Sequence, residues 1–362
     1  MAYKIAVLAG DGIGEEVMQE ALKVLAAVSR KFNQQFQFSP ALVGGSAFDK
    51  FGEHFPQQTQ DICSDSDAIL FGSVGGPVNE QHLEKWKNCE AKSLLAIRKA
   101  FNFNANFRPV VILKGLEELC PIKPERFPGG IDMLFIRELV GDIYFGEHKT
   151  EILAGGRKAT DVAEYTEAQI RDVAVVAFEA AKKRSFRVTS VDKANVLDTS
   201  KLWREVVTEV AIEYPEVTLN HLLVDNCAMQ LILNPSQFDV ILTSNMFGDI
   251  LSDAAAVLPG SLGLLSSASL NSAGFGMFEP PGGSAPDIAG KGIANPIGQI
   301  LAAALMLRHA FGLTNEVSAI QNAVNVVIQK GYRTEDILTP NAKLVSTGEM
   351  GDLIAKIGRA HV

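Results

Sequence analysis

The 362-residue sequence predicts an α/β fold built in two lobes. Three observations lead there. Short apolar runs alternate with amphipathic stretches of helical period. The 31 glycines gather where strand-like runs give way to helical ones. With 47% hydrophobic residues, the chain is long enough to exceed a single core.

In chain order, "KIAVLAG" reads as a strand and "EEVMQEALKVLAAVSRKF" as a helix, with Val17, Ala21, Val24, Leu25 and Val28 on one stripe. "DAILFGSVGGP" is a buried strand entering a glycine cluster. "SLLAIRKAFN" is a helix with cations in its last turn, as the helix dipole favours. "VVILKGL", "IDMLFIREL" and "EILAGG" predict strands joined by long excursions. Thr166 opens a helix over "TEAQIRDVAVVAFEAAKKR". Three strand-to-helix units follow, "RVTSVDKANVL", "LLVDNCAMQL" and "DVILTSNMFGDILSD". The segment from Leu258 to Pro296, rich in Gly, Ser and Pro, reads as irregular and therefore functional. "IGQILAAALMLRHAF" and two further helical patterns close the chain. With no repeat or linker, the two ends are expected to share one lobe.

The formal net charge of −9 argues against a nucleic-acid-binding surface, although a local basic pocket for a small anion remains open. Cys63, Cys89, Cys120 and Cys227 form no CxxC pair and read as small apolar fillers in a reducing compartment. The first residues do not read as a signal peptide, and no stretch reaches the roughly 20 apolar residues of a membrane span. A cytoplasmic protein is expected.

Lys193, Asp225 and Asp249 each follow a predicted strand, and ligands of open α/β sheets bind outside the carboxyl ends of strands. Asp249 and Asp253 stand at i and i+4, where like charges repel unless a cation offsets them. The plain alternative is that both favour the first turns of a helix. Arg98, Arg108 and Arg137 suit carboxylates bidentately, or ordinary surface pairing. Tyr144 alone reads as a core or interface residue. The loop "GGSAPDIAGKGIANP" could wrap a nucleotide with Asp287 on its ribose, or could be a linker. The opening "GDGIGEEV" is no dinucleotide fingerprint. Gly10, Gly12 and Gly14 are followed by Glu15 where the third glycine belongs, and Asp11, Glu15 and Glu16 place negative charge where a pyrophosphate would dock. A phosphate-handling enzyme would need GxxxxGK[ST], which is absent.

Taken in order, "GDGIGEEV", "GSVGGP", "LLAIRK", "NFRP", "IRELVGDIYFGEH", "VDKANVL", "VDNCAMQL", "SNMFGDILSD" and "GGSAPDIAGKGIANP" resemble the β-decarboxylating dehydrogenases of the isocitrate/isopropylmalate dehydrogenase family, across essentially the whole chain. The resemblance implies a two-lobed fold of mixed sheets flanked by helices, distinct from a classical Rossmann fold. Residues 1–103 with 260–362 would form the cofactor-side domain, and 104–259 the dimerising metal and substrate domain. Arg98, Arg108 and Arg137 would hold the carboxylates of a substituted malate. Asp225, Asp249 and Asp253 would ligate Mg²⁺ or Mn²⁺, with Lys193 and Asp225 supplied across a homodimer interface. Lys193, Tyr144 and Asp225 would be catalytic, Lys193 accepting the hydroxyl proton and Tyr144 protonating carbon after CO₂ leaves. NAD would meet Gly75, Gly76, Pro77, Glu90, Gly283, Ser284, Ala285, Pro286, Asp287, Ile288 and Asn295, and Asp287 would repel the 2′-phosphate of NADP.

Isocitrate enzymes carry an asparagine four positions before the first arginine. Here that position is Leu94, with Leu95 beside it. An apolar face fits an isopropyl group, whose burial is worth on the order of 2 kcal/mol, and would strip a carboxylate of its hydration. The expected reaction is therefore oxidative decarboxylation of 3-isopropylmalate to 4-methyl-2-oxopentanoate, a step of leucine biosynthesis. Tartrate- and malate-type substrates, and a regulatory relative that binds without turnover, stay as alternatives. Two positions depart from the family pattern. Asp142 stands where a second glycine is expected, and would raise the Tyr144 pKa only if it pointed inward. Gly282 stands where some relatives have a histidine.

Overall fold

The structure, a computed structural model, describes residues 2–357. They fall into two compact units. The first holds the residues up to Phe101, Leu113–Cys120, and those from Pro259 on; the second holds Asn102–Ile112 and Pro121–Leu258. The expected division kept 113–120 with the middle of the chain. Two contacts explain the difference: Arg333 Nη2 donates to the Gly115 carbonyl at 2.8 Å, and Gly260 lies so close that a Cβ there would sit 2.4 Å from Leu119 Cβ.

The first unit begins with β1 (Tyr3–Gly10), α1 (Gly14–Phe32), β2 (Phe36–Pro40), α2 (Gly45–Phe51), α3 (Gln57–Ser64), β3 (Ala68–Ser73) and α4 (Ala96–Ala100). The predicted stripe of α1 is wholly buried. Glu15 and Glu16 in its first turn and Arg30 and Lys31 in its last complement its dipole. Asn33 ends it in the left-handed region, where asparagine is tolerated. The single helix expected over "SLLAIRKAFN" is instead a π-turn, Ala91–Leu95, running into the five-residue α4.

The second unit contains β4 (Ala105–Val111), β5 (Asp132–Glu138), β6 (His148–Leu153), β7 (Gly156–Asp161), α5 (Glu167–Lys182), β8 (Arg187–Asp192), α6 (Asp198–Ala211), β9 (Thr218–Leu223), α7 (Val224–Leu233), β10 (Val240–Thr243) and α8 (Asn245–Ala255). The strand expected at "VVILKGL" overlaps β4 only at Val110 and Val111. "EILAGG" is one arm of the antiparallel hairpin β6–β7, exposed nearly throughout. Thr166 opens α5, as read, and the structure adds a full capping box with Gln169.

The chain returns to the first unit with β11 (Ser267–Leu270), β12 (Gly276–Glu279), α9 (Ile297–His309), α10 (Thr314–Gln329), β13 (Tyr332–Arg333), β14 (Lys343–Leu344) and α11 (Thr347–Ile354). Here the irregular reading of 258–296 fails. "SASL" and "GMFE" form an antiparallel pair, almost entirely buried, and β12 runs parallel to β3. Ser267, Ala268 and Ser269 give β11 no apolar alternation, and β12 is only four residues long, so neither strand announces itself.

Besides the pairs β13–β14 and β6–β7, each unit thus carries five sheet strands, four parallel and one antiparallel: β2-β1-β3-β12-β11 in the first and β4-β5-β10-β8-β9 in the second. Helices α1 and α9 bury Val24, Leu25, Ile300 and Met306 against the first sheet. Helices α5 and α6 bury Phe178 and Trp203 against the second. No described helix is long and apolar enough to cross a membrane.

Candidate active site

In the second unit the chemistry gathers at the carboxyl ends of β5, β8 and β10. Arg137, the penultimate residue of β5, lies beside Thr243 of β10. Its guanidinium lies along α8 because residue 248 is glycine: a Cβ there would meet Arg137 Cγ at 2.7 Å and Thr243 Oγ1 at 2.3 Å. Asn245 Oδ1 accepts from Arg137 Nε at 3.0 Å and Nη2 at 2.8 Å, while Nη1 pairs with Asp249. Asn245 is itself held from behind. Its amide donates to the Gly141 carbonyl, its backbone N–H donates to Tyr165 Oη, and the Tyr165 hydroxyl donates to buried Glu138. Burial raises the Glu138 carboxyl above its ordinary range, against the N–H groups of Val140 and Gly141.

Asp249 and Asp253 do share one face of α8, and guanidinium groups offset their repulsion. Arg108 Nη1 donates to Asp253 Oδ1 at 2.5 Å and to Ser252 Oγ at 2.8 Å, and Nη2 lies 3.6 Å from Asp249. The Tyr144 hydroxyl donates to Asp249 Oδ2 at 3.0 Å, and its ring lies beside Arg137. Tyr144 is thus half-exposed and polar-partnered rather than a core residue. Its pKa is raised, by burial first and the Asp249 charge next. Asp142 contributes in the same direction, because it points inward. Asp142 adopts φ +70°, a left-handed conformation that glycine fills most easily. Its Oδ2 accepts the Met246 N–H, capping α8, whose own N-cap Ser244 supplies no side-chain bond.

Lys193 and Asp225 form a separate pair at 3.1 Å, with the Asp225 side chain 63% exposed. The Lys193 ammonium holds the Asp225 carboxyl below its usual range. Asp225 does not join Asp249 and Asp253. Among the described residues no group of three acidic, histidine or cysteine side chains is placed to hold an ion.

In the first unit the glycine turn after β1 is a structural joint. Gly10 and Gly12 are left-handed, and a Cβ on Gly12 would fall 1.9 Å from the Ser284 carbonyl oxygen. That carbonyl accepts the Ile13 N–H at 2.8 Å, and Glu16 accepts from the Gly290 N–H. The turn's acidic residues therefore brace loops. Asp11 is buried and accepts the N–H groups of Gly45, Ser46 and Gly75. Gly76 presses on the Trp86 ring; Pro77 follows it, half-buried, and Glu90 is exposed.

A cavity of about 170 Å³ opens between this turn and the 282–295 loop. Ile13, Leu262, Gly283, Ala285, Ile288 and Asn295 line it, together with Gly282 and Asp336. Sequence reasoning missed Asp336, which accepts from Ser261, Asn295 and Thr334. Ser284 is buried, Pro286 half-buried and Asp287 exposed. Leu94 and Leu95 sit on the π-turn ahead of Arg98, with Leu95 exposed. Arg98 is buried and donates to Glu279 at 3.1 Å, another partner the sequence did not reveal. Burial pushes the thiols of Cys63 and Cys227 up to about 12 and Cys89 up to about 11, as fits apolar fillers rather than nucleophiles.

Residues 4–354 match the family model described as isocitrate/isopropylmalate dehydrogenase. A 3-isopropylmalate dehydrogenase of Haemophilus influenzae is 53% identical over 98% of this chain and 99% of its own length. One from Desulfotalea psychrophila is 54% identical over 97% and 98%. Among solved structures, the isocitrate dehydrogenase of Methylococcus capsulatus aligns with a TM-score of 0.84 at 33% identity, covering 98% of both chains. An apo β-decarboxylating dehydrogenase from Thermococcus kodakarensis aligns at 0.79 and 34%, covering 98% of this chain and 95% of that one.

Proposed function

The chain belongs to the isocitrate/isopropylmalate dehydrogenase family, and from that premise we propose that it oxidises and decarboxylates 3-isopropylmalate with NAD as hydride acceptor, in leucine biosynthesis. The observation that carries the reading is the α8 face, where Asp249 gathers Arg108, Arg137 and Tyr144. Two carboxylates one turn apart are hard oxygen donors, and their guanidinium partners show that they accept positive charge. Asp249 and Asp253 would hold Mg²⁺ or Mn²⁺, completed by Asp225 from a second copy. When bound, the cation supplies Lewis-acid polarisation of the substrate hydroxyl and its neighbouring carboxylate, and NAD supplies the hydride acceptor.

The chain's own groups do the rest. Arg98, Arg108 and Arg137 bind carboxylate, with Arg137 fixed in orientation by Asn245. Lys193, in its neutral amine form, accepts the hydroxyl proton as the C2 hydride departs, and the Tyr144 hydroxyl returns a proton to carbon after CO₂ leaves. Leu94 and Leu95 receive the isopropyl group and disfavour a third carboxylate.

The adenosine half of NAD would enter the cavity beside the 282–295 loop, with Asp287, exposed on that loop, accepting from the ribose hydroxyls. Gly75, Gly76, Pro77 and Glu90 would also contact NAD, and the glycine turn after β1 would lie near its nicotinamide end. A homodimer is supported by apolar residues left exposed on or beside α7 and α8: Met229, Ile232, Leu233, Ile250 and Val257. The cytoplasm is the proposed compartment.

The test is NADH formation from 3-isopropylmalate, isocitrate, malate and tartrate, each with Mg²⁺ and with EDTA. Turnover fastest on 3-isopropylmalate and abolished by EDTA is expected; fastest turnover on isocitrate, or indifference to EDTA, would sink the reading. Asp287→Lys should move the cofactor preference from NAD towards NADP, and an unchanged preference would remove Asp287 from the ribose.

A further inference from the structure

Lys193 follows directly on Asp192, the last residue of β8, and Asp192 is buried with both oxygens engaged. Its Oδ2 accepts from Arg204 Nε and its Oδ1 from Arg204 Nη2, each at 2.8 Å. The same Oδ1 accepts the Ala194 N–H at 2.9 Å, closing a turn around Lys193. On the other side, the Lys193 carbonyl accepts the N–H groups of Val196 and Leu197, each at 3.0 Å. The Lys193 backbone is thus clamped from both directions by bonds that leave its ammonium free to reach Asp225.

The same cluster touches the strand that carries Asp225. His221 of β9 stands beside Asp192, Nδ1 to Oδ2 at 4.0 Å, and its Nδ1 is buried without a hydrogen-bond partner. Its Nε2 meets Thr208 Oγ1 on α6 at 3.0 Å. Two residues after His221, β9 passes into α7 and Asp225. A planar, bidentate charge pair is thereby wedged between the carriers of Lys193 and Asp225.

We propose that Asp192 and Arg204 are positioning residues for the Lys193–Asp225 pair, setting where the Lys193 ammonium stands. The proposal rests on the reading of Lys193 as the proton acceptor. A merely structural role is separable, because α6 is anchored to β8 by a second bond. Trp203 Nε1 donates to Ser190 Oγ at 3.1 Å, independently of Asp192.

The experiment compares Arg204→Ala, Arg204→Lys, Asp192→Asn and Ser190→Ala in the full-length protein. Steady-state kinetics are measured with 3-isopropylmalate, NAD and Mg²⁺. Arg204 is partly exposed, so its variants should fold even where Asp192→Asn does not. Arg204→Ala should lower kcat about 10- to 100-fold, the scale of a displaced catalytic group, and leave KM for NAD within about twofold. Arg204→Lys should recover only part of the loss, since an ammonium cannot make the fork. Ser190→Ala should lower the Tm and spare kcat.

A second readout needs no turnover: the rate at which Lys193 is acylated by an amine-reactive reagent, followed by peptide mass spectrometry. It should change several-fold in Arg204→Ala and stay unchanged in Ser190→Ala. Unaltered Lys193 labelling in Arg204→Ala overturns the positioning role, whatever the substrate proves to be. So does a kcat within twofold of wild type. Altered labelling in a protein inert towards 3-isopropylmalate would sustain the positioning role and count against the proposed reaction instead.

Discussion

Asp11 in the first unit and Asp253 in the second both stand in stretches marked by glycine, yet they are held in opposite ways. Asp11 is buried and satisfied by three backbone N–H groups. Asp253 is 70% exposed at its side chain and is met by one guanidinium. A carboxylate filled by main-chain donors has little left to offer a ligand, and its partners cannot leave without unfolding the loops they belong to. A carboxylate met by a side-chain cation can exchange that partner at small cost. The donor type, more than the acid itself, separates a brace from a binding group.

The sharpest break of this comparison is Asp253→Asn. It should lower kcat/KM on the order of 100-fold or more through metal affinity, while the Tm stays nearly unchanged. A fall in Tm with intact activity would reverse the assignment. Next comes Gly12→Ala, which puts a Cβ into the Ser284 carbonyl at φ +59°. It should raise KM for NAD about tenfold and destabilise by about 1–3 kcal/mol, because the turn must shift away from the loop. An unchanged KM would detach this turn from the cofactor site.

Asp11→Asn should cost about 1–3 kcal/mol in chemical denaturation, with kinetics little altered in the surviving folded enzyme. Its pH dependence has a definite sign. Burial raises the Asp11 carboxyl above its ordinary value, against the pull of the Gly45, Gly75 and Ser46 N–H groups. The folded state therefore takes up the proton first. That contribution to stability is complete below the unfolded-state pKa and is lost as pH rises through the folded-state one. Relative to Asp11→Asn, the wild-type protein should gain stability on acidification; a gap that widens as pH rises would mean the N–H groups outweigh burial. The smallest effect belongs to Asp142→Gly. Relief of the left-handed backbone and loss of the Met246 cap oppose one another, so the net change should stay within about 1 kcal/mol by thermal denaturation.

Where the sequence carried a periodic or capping signal, the fold could be read from it. The α1 stripe, the buried β3 and the helix start at Thr166 all stand where expected. β11 was hidden because Ser267, Ala268 and Ser269 fill a buried strand without apolar side chains to mark it. β7 was hidden for the converse reason, since an exposed strand needs no apolar face at all. The site was legible where partners are local, as with Asp249 and Asp253 one turn apart. It was illegible where they are distant: Arg98 with Glu279, Arg137 with Asn245, and the three hydroxyl and amide donors that converge on Asp336. Asp142 shows a limit of another kind. Its departure from glycine was visible, but its inward direction follows from φ and from the Met246 N–H at the start of α8, which only the folded backbone supplies.

The placement of β12 next to β3 also bears on how the chain is made. β3 ends at Ser73, whereas β12 is complete only at Glu279. At about 5–20 residues per second, translation leaves β1, β2 and β3 without their inner neighbour for roughly 10–40 s. During that interval the second unit, nearly continuous in sequence, has emerged in full. Until then the backbone edge of β3 that pairs with β12 has no partner strand. The pace of synthesis between residues 74 and 279 therefore sets how long that edge stays open.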